Sequence, residues 1–503
     1  MSSLTPCVNV WLAACLLVCT LPSIATAQPA AVQASPAKQR DLRDFDFMVE
    51  KITTNYAGYD TKTAGAKRAE LAALTARLRA RVGTGTLSTD ELLAVLQEWI
   101  GFFHDRHTGV VLTAAAPGTA PSSPTAADVP RLDWTEAGVM QRLTALGRKR
   151  DPIEGIWTIG GDRYRLAVLR TGATPDAFSA VTLGSTMDGW SPGMVKATLT
   201  RTAADYDLQY FNGVFEIEPH RGHLVVGGAV LEIQDYGSWS REWPAVKDKE
   251  RIARAYPPDE FFLRRLSPRT MWLRLPDFNN HNAVTVTKLL QDNAAALGAT
   301  ANLLIDARGN GGGSDFVYAP IIRYLYTRPI YEVGVELRAT RDNIALRKAF
   351  ADGLKGMPGT ADALKEFNAQ NELMAKHVGE YVQPSARPFG INKLDQVLPF
   401  PKRVVILIDQ AASSGEQFLL AARQSRKVTL VGKRNSAGVL DFANVVNMPG
   451  PSGRYALHWA TSRSLRLPDD PVDEGGIAPD IRIPEAEADP VTYAQRWLER
   501  QVD

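Results

Sequence analysis

The first third of the chain places apolar residues at helical spacing. Residues 68–82 are rich in Ala, Leu and Arg, and residues 92–103 carry apolar side chains three or four positions apart. Ser88 precedes Asp90 and Glu91, which is the arrangement of a capped helix N-terminus. The pattern predicts a small helical N-terminal domain over residues 28–113. An Ala-, Pro-, Ser- and Thr-rich stretch then predicts a linker over residues 114–130.

The pattern changes to short alternating segments after residue 150. Residues 164–169, 195–199 and 224–227 are such segments, and Gly, Asp and Pro separate them. Alternation with period two over a few residues is typical of half-buried strands. The sequence therefore predicts a β-rich domain over residues 131–260, built as an antiparallel barrel or sandwich.

Beyond residue 267, apolar strands and amphipathic helices alternate. The predicted strands are 269–275, 301–307, 403–408 and 428–431, and the predicted helices are 283–297, 315–326 and 415–423. This order is typical of an α/β core in which helices pack on a sheet. We assign the core to residues 261–485, with a charged helical insert at 341–380 and a C-terminal helix at 486–503.

The N-terminal segment has the features of an export signal. An apolar run over residues 8–21 ends at Pro22, and the small residues 25–27 follow it. This predicts a signal peptide, 1–27, cleaved after Ala27, and hence an exported periplasmic or extracellular protein. A lipoprotein box ending at Cys15 is less favoured, because half of the apolar run follows it. No other run approaches the roughly 18 apolar residues of a membrane span, so none is expected after signal cleavage.

Composition and charge narrow the class of protein. The 503 residues are 45% hydrophobic and 22% charged, which excludes disordered and coiled-coil chains. The formal net charge is only +2, from 57 Lys and Arg against 55 Asp and Glu. Because nucleic-acid binding relies on a concentrated positive surface, we expect no nucleic-acid partner.

Two strand-to-helix turns carry the candidate chemistry. In residues 306–314, DARGNGGGS, consecutive glycines can leave backbone N–H groups free to bind an anion or oxyanion. Ser413 and Ser414 follow the strand 403–408 and precede a helix, where the helix N-terminus stabilises negative charge. Taken singly, each turn also has a purely structural interpretation: the first as a strand-to-helix connection, and the second as a helix cap.

Together these motifs resemble the tail-specific, or C-terminal-processing, serine peptidases. The resemblance rests on residues 306–312, on 413–416 and on 475–481, GGIAPDI, in this order. Residues 103–109, FHDRHTG, are similar to the Asp-Gly-His-Thr segment of that family. The resemblance implies a crotonase-like α/β peptidase core. The β-rich domain stands where better-known members carry a PDZ domain, which it does not resemble.

The resemblance also implies roles for individual residues. Ser413 would be the nucleophile, and the N–H of Ser414 with that of Gly312 or Gly313 would form the oxyanion hole. Bacterial members use a lysine as the base, but Gly438 stands at that position and no lysine follows Lys433. Members similar to the tricorn core use a histidine and an acid instead. This makes His107 the base and Asp473 the acid, with Glu474 as the alternative.

The prediction is an exported serine-type endopeptidase. It would hydrolyse peptides or partly unfolded proteins through an acyl-enzyme on Ser413, with no metal and no organic cofactor. One alternative is a non-catalytic ligand- or peptide-binding protein on the same fold. Another is a serine hydrolase acting on esters or cell-wall material, although the chain has no Gly-x-Ser-x-Gly elbow.

Overall fold

The structure is a computed structural model and describes most of the chain. The described residues are 36–112, 125–160, 163–172, 174–212, 215, 217–234, 236–356 and 360–501. The predicted signal peptide, with all three cysteines, lies outside these residues, as does most of the predicted linker. Within the described part, no helix combines the length and apolar character needed to cross a membrane.

The N-terminal region is helical, as the spacing predicts. Ser88 caps the helix over residues 89–100 by accepting from the Glu91 N–H, while the Glu91 carboxylate accepts from the Ser88 N–H. The apolar faces meet around Trp99 and Phe103, both buried. The elements are α1 (Pro36–Asn55), α2 (Tyr59–Lys62), α3 (Lys67–Val82), α4 (Thr89–Ile100), a 3-10 turn (Gly101–Phe103) and β1 (Gly109–Leu112).

The next region is a closed barrel of eight antiparallel strands. Each strand pairs with the next along the chain, and pairing of the first with the last closes the sheet. Of the two predicted architectures, the barrel is therefore confirmed. The elements are α5 (Glu136–Leu146), β2 (Gly155–Ile159), β3 (Tyr164–Arg170), β4 (Ala177–Ser185), β5 (Val195–Arg201), β6 (Tyr206–Phe211), β7 (Ile217–Val225), β8 (Val230–Ile233), β9 (Gly237–Trp243) and α6 (Lys249–Ala255).

One charged side chain, Lys196, lies inside the barrel. It is 1% exposed, and its ammonium lies 3.9 Å from the ring centre of Trp190, 4.1 Å from that of Tyr164 and 4.7 Å from that of Tyr210. Burial lowers the pKa of Lys196 to about 7, and the nearby Glu218 opposes that shift. The three aromatic faces attract the charged form and so offset part of its desolvation.

We expect Lys196→Met to change how stability depends on pH. The pKa of Lys196 is lower in the folded chain than the 10.5 of a free lysine, so unfolding takes up a proton between these values. Stability therefore rises with pH from about 7 upward, by at most about 1.4 kcal/mol per pH unit. In Lys196→Met this rise disappears between pH 7 and 9.5, as denaturant titration would measure. The exposed Lys288→Met is the control, and equal pH slopes in wild type and Lys196→Met would contradict the expectation.

The remaining region is an α/β core around a six-stranded sheet. Its strand order is β10-β11-β12-β17-β18-β21, parallel from β11 onward. The strands are β10 (Phe262–Ser267), β11 (Thr270–Arg274), β12 (Asn302–Asp306), β13 (Ile330–Val333), β14 (Val335–Arg338), β15 (Tyr381–Val382), β16 (Phe389–Asn392), β17 (Arg403–Ile408), β18 (Val428–Gly432), β19 (Phe442–Pro449), β20 (Tyr455–Ser464) and β21 (Ile481–Arg482).

Helices cover both faces of this sheet, which explains the continuous apolar character of its strands. The predicted strands and helices of this region are all present, but the predicted helix 283–297 is interrupted at Asn293. The helices are α7 (Ala283–Asp292), α8 (Ala294–Leu297), α9 (Asp315–Leu325), α10 (Arg341–Gly353), α11 (Ala361–Lys376), α12 (Ser414–Ala422) and α13 (Pro490–Arg500).

A second sheet connects the N-terminal helices to the core. β1 pairs antiparallel with β20, which also pairs with β14 and β19. Trp459 of β20 is buried in the same apolar cluster as Trp99 of α4. Because β1 begins two residues after His107, the pairing of β1 with β20 fixes His107 against the core, although over 300 residues separate His107 from β20 in sequence.

Candidate active site

Ser413 lies in the turn between β17 and α12. Its backbone has φ 54° and ψ −122°, a strained conformation for a residue with a side chain. Its N–H donates to the carbonyl of Val439 at 3.1 Å and to the carboxylate of Glu416 at 3.2 Å. Two hydrogen bonds therefore stabilise the strained backbone of Ser413. Its hydroxyl lies at the positive end of the α12 dipole.

The glycine turn after β12 packs directly on this serine. A Cβ on Gly312, where φ is 86°, would lie 2.8 Å from Ser413 Cβ and 3.0 Å from Ser414 N, so only glycine fits. The Gly312 N–H donates to the Asn310 side chain at 2.9 Å. Among the described residues, the N–H groups of Gly313 and Ser414 have no hydrogen-bond partner. These two donors are available to an oxyanion.

Buried charged side chains hold the glycine turn in place. The Arg308 guanidinium forms two hydrogen bonds with the Asp306 carboxylate, at 2.8 and 2.7 Å, and both residues are buried. Arg274 donates to the backbone carbonyls of Asp306 and Arg308 at 3.0 and 2.8 Å. Asp306 and Arg308 thus hold the glycine turn in shape.

Glu416 attaches the segment after β18 to the nucleophile helix. Its carboxylate is fully buried and accepts from the Ser436 hydroxyl at 2.5 Å and from the N–H groups of Gly438 and Val439 at 2.8 Å each. We call residues 438–442 the bridging segment. Because Val439 in turn accepts from the Ser413 N–H, the helix and the bridging segment are held as one unit.

The position of the bacterial lysine is tight and strained for a side chain. Gly438 has φ 70°, and a Cβ there would lie 3.0 Å from Glu474 N and 3.1 Å from Gly476 N. Lys433, the last lysine of the chain, donates to the Glu485 carbonyl at 2.9 Å instead. The local backbone therefore argues against an amine base at the position where the family's lysine would stand.

The bridging segment also holds Asp473. The Asp473 carboxylate accepts from the N–H groups of Leu440 and Asp441 at 2.6 and 2.7 Å. Burial raises the pKa of Asp473 to about 6, backbone hydrogen bonds oppose the shift, and the nearby Asp441 and Asp105 carboxylates add to it. Glu474, the alternative acid, is 77% exposed and pairs with Lys62 at 3.6 Å.

His107 reaches the far end of the same segment. Its Nδ1 lies 2.6 Å from the Phe442 carbonyl oxygen. Since a carbonyl can only accept, Nδ1 carries the hydrogen, and Nε2 of the neutral ring has a free lone pair. Asp105 orients this stretch by accepting from the His107 N–H at 2.8 Å and from the Thr108 hydroxyl at 3.1 Å.

Ser413, Asp473 and His107 are thus each hydrogen-bonded to the bridging segment. Among the described residues, however, no hydrogen bond joins Ser413 Oγ to His107 or His107 to Asp473. Such contacts are often long before substrate binds and tighten in the complex. No group of three His, Cys, Asp or Glu side chains in the described ranges is arranged to hold a metal ion.

Three residues near His107 were not assigned to the site from sequence. His458 lies opposite Gly109 in the β1–β20 pair, and burial and the neighbouring His107 lower the pKa of His458. Tyr56 is buried with its ring centre 5.8 Å from that of Phe442. Asp441 accepts from the N–H groups of Val472 and Asp473. The separation of these residues along the chain leaves no local motif to reveal them.

Comparison with known proteins gives one family match. Residues 269–483 match the model of peptidase family S41. No curated protein sequence is matched.

Solved structures show distant similarity over nearly the whole chain. Mature CPAF complexed with lactacystin is 14% identical, with 92% of this chain and 97% of that chain covered and a TM-score of 0.47. The photosystem II D1 C-terminal processing protease is 11% identical, with 88% and 93% covered and a TM-score of 0.37. A lipoprotein from Streptococcus agalactiae is 10% identical, with 92% and 97% covered and a TM-score of 0.38.

Proposed function

We propose that this chain, whose peptidase domain over residues 269–483 belongs to family S41, is an exported endopeptidase that uses a Ser413, His107 and Asp473 triad. The observation that carries the triad is the bridging segment. Within five consecutive residues it accepts from the Ser413 N–H, donates to Asp473 and accepts from His107 Nδ1. Three groups that are remote in sequence are thereby held on one short stretch of backbone.

The proposed reaction is amide hydrolysis through an acyl-enzyme. Ser413 Oγ attacks the substrate carbonyl carbon while His107 Nε2 takes the hydroxyl proton. The N–H groups of Gly313 and Ser414 stabilise the oxyanion, and such donors are typically worth about 3 kcal/mol each. His107 then protonates the leaving amine, and water hydrolyses the ester in the second half of the cycle.

Asp473 is proposed to stabilise the imidazolium that forms on His107. Its carboxylate is already bound by two backbone N–H groups, which fix its orientation before substrate arrives. Glu474 is less suited to this role, because its side chain is mostly exposed and is already paired with Lys62. An exposed, screened carboxylate would stabilise the imidazolium weakly.

The raised pKa of Asp473 predicts a steep loss of activity at low pH. Since burial raises the pKa of Asp473 to about 6, its carboxylate is lost as pH falls below 6, well above the usual 3.8. A protonated Asp473 cannot stabilise the imidazolium, so kcat/KM should lose the contribution of Asp473 as pH falls through about 6. Asp473→Asn should reduce kcat/KM at pH 8, and the ratio of wild-type to Asp473→Asn kcat/KM should shrink toward one below pH 6. A ratio that stays constant down to pH 4.5 would contradict the assignment.

A fluorophosphonate tests the proposal against a non-catalytic binding protein. We expect covalent labelling at Ser413, which peptide mapping would locate. We also expect the protein to release fluorescence from a quenched unfolded protein substrate. Peptide binding without labelling or turnover would favour the binding protein. Labelling with turnover of esters only would favour the ester hydrolase.

Export is the remaining part of the proposal. It is supported by the apolar run at 8–21, by the small residues before the cleavage position at Ala27 and by the confinement of all three cysteines to the first 19 residues. The intact mass of the protein recovered from its native host distinguishes the product starting at Gln28 from a lipid-modified product starting at Cys15.

A further inference from the structure

A cavity of about 740 Å³ separates the barrel from the peptidase core. Its core wall is formed by the carboxyl ends of β12, β17 and β18, where ligands of parallel sheets usually bind. Gln410, three residues before Ser413, lies on this wall. Arg106, which immediately precedes His107, also lines the cavity, whereas Ser413, His107 and Asp473 themselves do not.

Arg106 differs from the other cations of this cavity. It is exposed, and among the described residues its guanidinium has neither an ion-pair nor a hydrogen-bond partner. The other lining cations have partners at 2.7 to 3.2 Å: Arg308 with Asp306, Arg434 with Asp409, Lys433 with the Glu485 carbonyl, and Arg221 with Asp207. Arg106 is therefore the lining cation whose donors are free for a bound molecule.

We propose that Arg106 is a specificity-determining residue that binds a carboxylate of the peptide substrate near the scissile bond. A guanidinium presents paired N–H donors that match the two oxygens of a carboxylate. Closing a peptide into the cavity removes water from this pair and strengthens it. Four acidic residues also line the cavity: Asp205 and Glu232 of the barrel, and Asp409 and Glu485 of the core, of which Asp409 is paired with Arg434. Arg106 is the lining cation left to bind an added carboxylate. The proposal rests on the proposed peptidase function and names its substrate class.

The test uses the full-length protein and pairs of quenched fluorescent peptides. Each pair differs by Glu against Gln at one of four positions on either side of the cleaved bond, and active sites are counted by fluorophosphonate labelling. For wild type we expect kcat/KM to favour Glu by about tenfold at one or two adjacent positions. In Arg106→Gln the ratio of kcat/KM for the Glu peptide to kcat/KM for the Gln peptide should fall to about one. Arg106→Glu should prefer Lys over Gln at the same position.

Matched variants and substrates separate the outcomes. Arg43→Gln makes the same charge change at an exposed position of α1 and should keep the wild-type ratio. A second peptide pair, with a free or an amidated C-terminus, shows whether the carboxylate is a side chain or the chain end. If Arg106→Gln fails to fold, Arg106→Lys should retain a Glu preference.

Failure of this inference and failure of the proposed function give different results. A wild-type enzyme that is labelled and active but has a ratio near one at all positions, for both peptide pairs, overturns the role of Arg106. A ratio that survives in Arg106→Gln does the same. Absence of both labelling and turnover in wild type overturns the peptidase proposal itself.

Discussion

Ser413→Ala is expected to abolish peptide hydrolysis and to leave the protein folded. Removing the nucleophile of a serine peptidase typically costs about 10⁶ in kcat, because the remaining groups can only bind and polarise the substrate. The backbone of residue 413 stays held by the Val439 carbonyl and the Glu416 carboxylate, so the substitution removes only the hydroxyl from the turn. The measurements are kcat/KM on a quenched peptide, fluorophosphonate labelling and the melting temperature.

Ser414→Ala is the variant that separates the two neighbouring hydroxyls. The Ser414 hydroxyl donates to the Gly313 carbonyl at 3.0 Å, whereas its backbone N–H is the group assigned to the oxyanion hole. Alanine retains that N–H, so labelling at Ser413 should persist in Ser414→Ala. Full activity of Ser413→Ala, or loss of labelling only in Ser414→Ala, would move the nucleophile to Ser414.

His107→Ala is expected to reduce kcat/KM by several powers of ten. Without an imidazole, the Ser413 hydroxyl keeps its proton at neutral pH, and losses of about 10⁴ to 10⁶ are typical for such bases. The ring also donates to the Phe442 carbonyl, so its removal leaves that carbonyl without this donor. His107→Gln, which can still donate there, separates loss of the base from loss of local structure and should be equally inactive.

His104→Ala is the matched control for the base. It lies three residues before His107 and is exposed, with its backbone in the left-handed region at φ 47°. Its removal should leave kcat/KM within a few-fold of wild type. An inactive Lys433→Ala variant, together with wild-type activity that still rises above pH 8, would instead favour an amine base. The bond from Lys433 to the Glu485 carbonyl makes that outcome unexpected.

The raised pKa of Asp473 and the position of Arg106 depend on the same segment of structure. Asp105, between His104 and Arg106, binds the backbone of His107, and its charge contributes to the pKa of Asp473. Substitutions at Arg106 should therefore be read together with the pH profile. A change in substrate preference with an unchanged low-pH slope indicates an effect on substrate, whereas a change in both indicates displacement of His107.

The sequence by itself determined the local elements and the two turns that carry the candidate chemistry. The strands before Ser413 and Gly312 are apolar runs, and helix α12 begins within one residue of its predicted start. These features depend on residues within about ten positions of each other, where periodicity, capping and glycine turns are informative. The resemblance to the peptidase family rests on these same local motifs, and the match of residues 269–483 confirms it.

Only the tertiary structure decided how the remote residues are arranged. The pairing of β2 with β9 closed the barrel, and the pairing of β1 with β20 held His107 against the core. Lys196 lies inside the barrel although its charge alone would predict an exposed side chain. Each of these contacts joins residues that are far apart in sequence, and a linear pattern carries no information on which distant partner completes a buried hydrogen bond or a closed sheet.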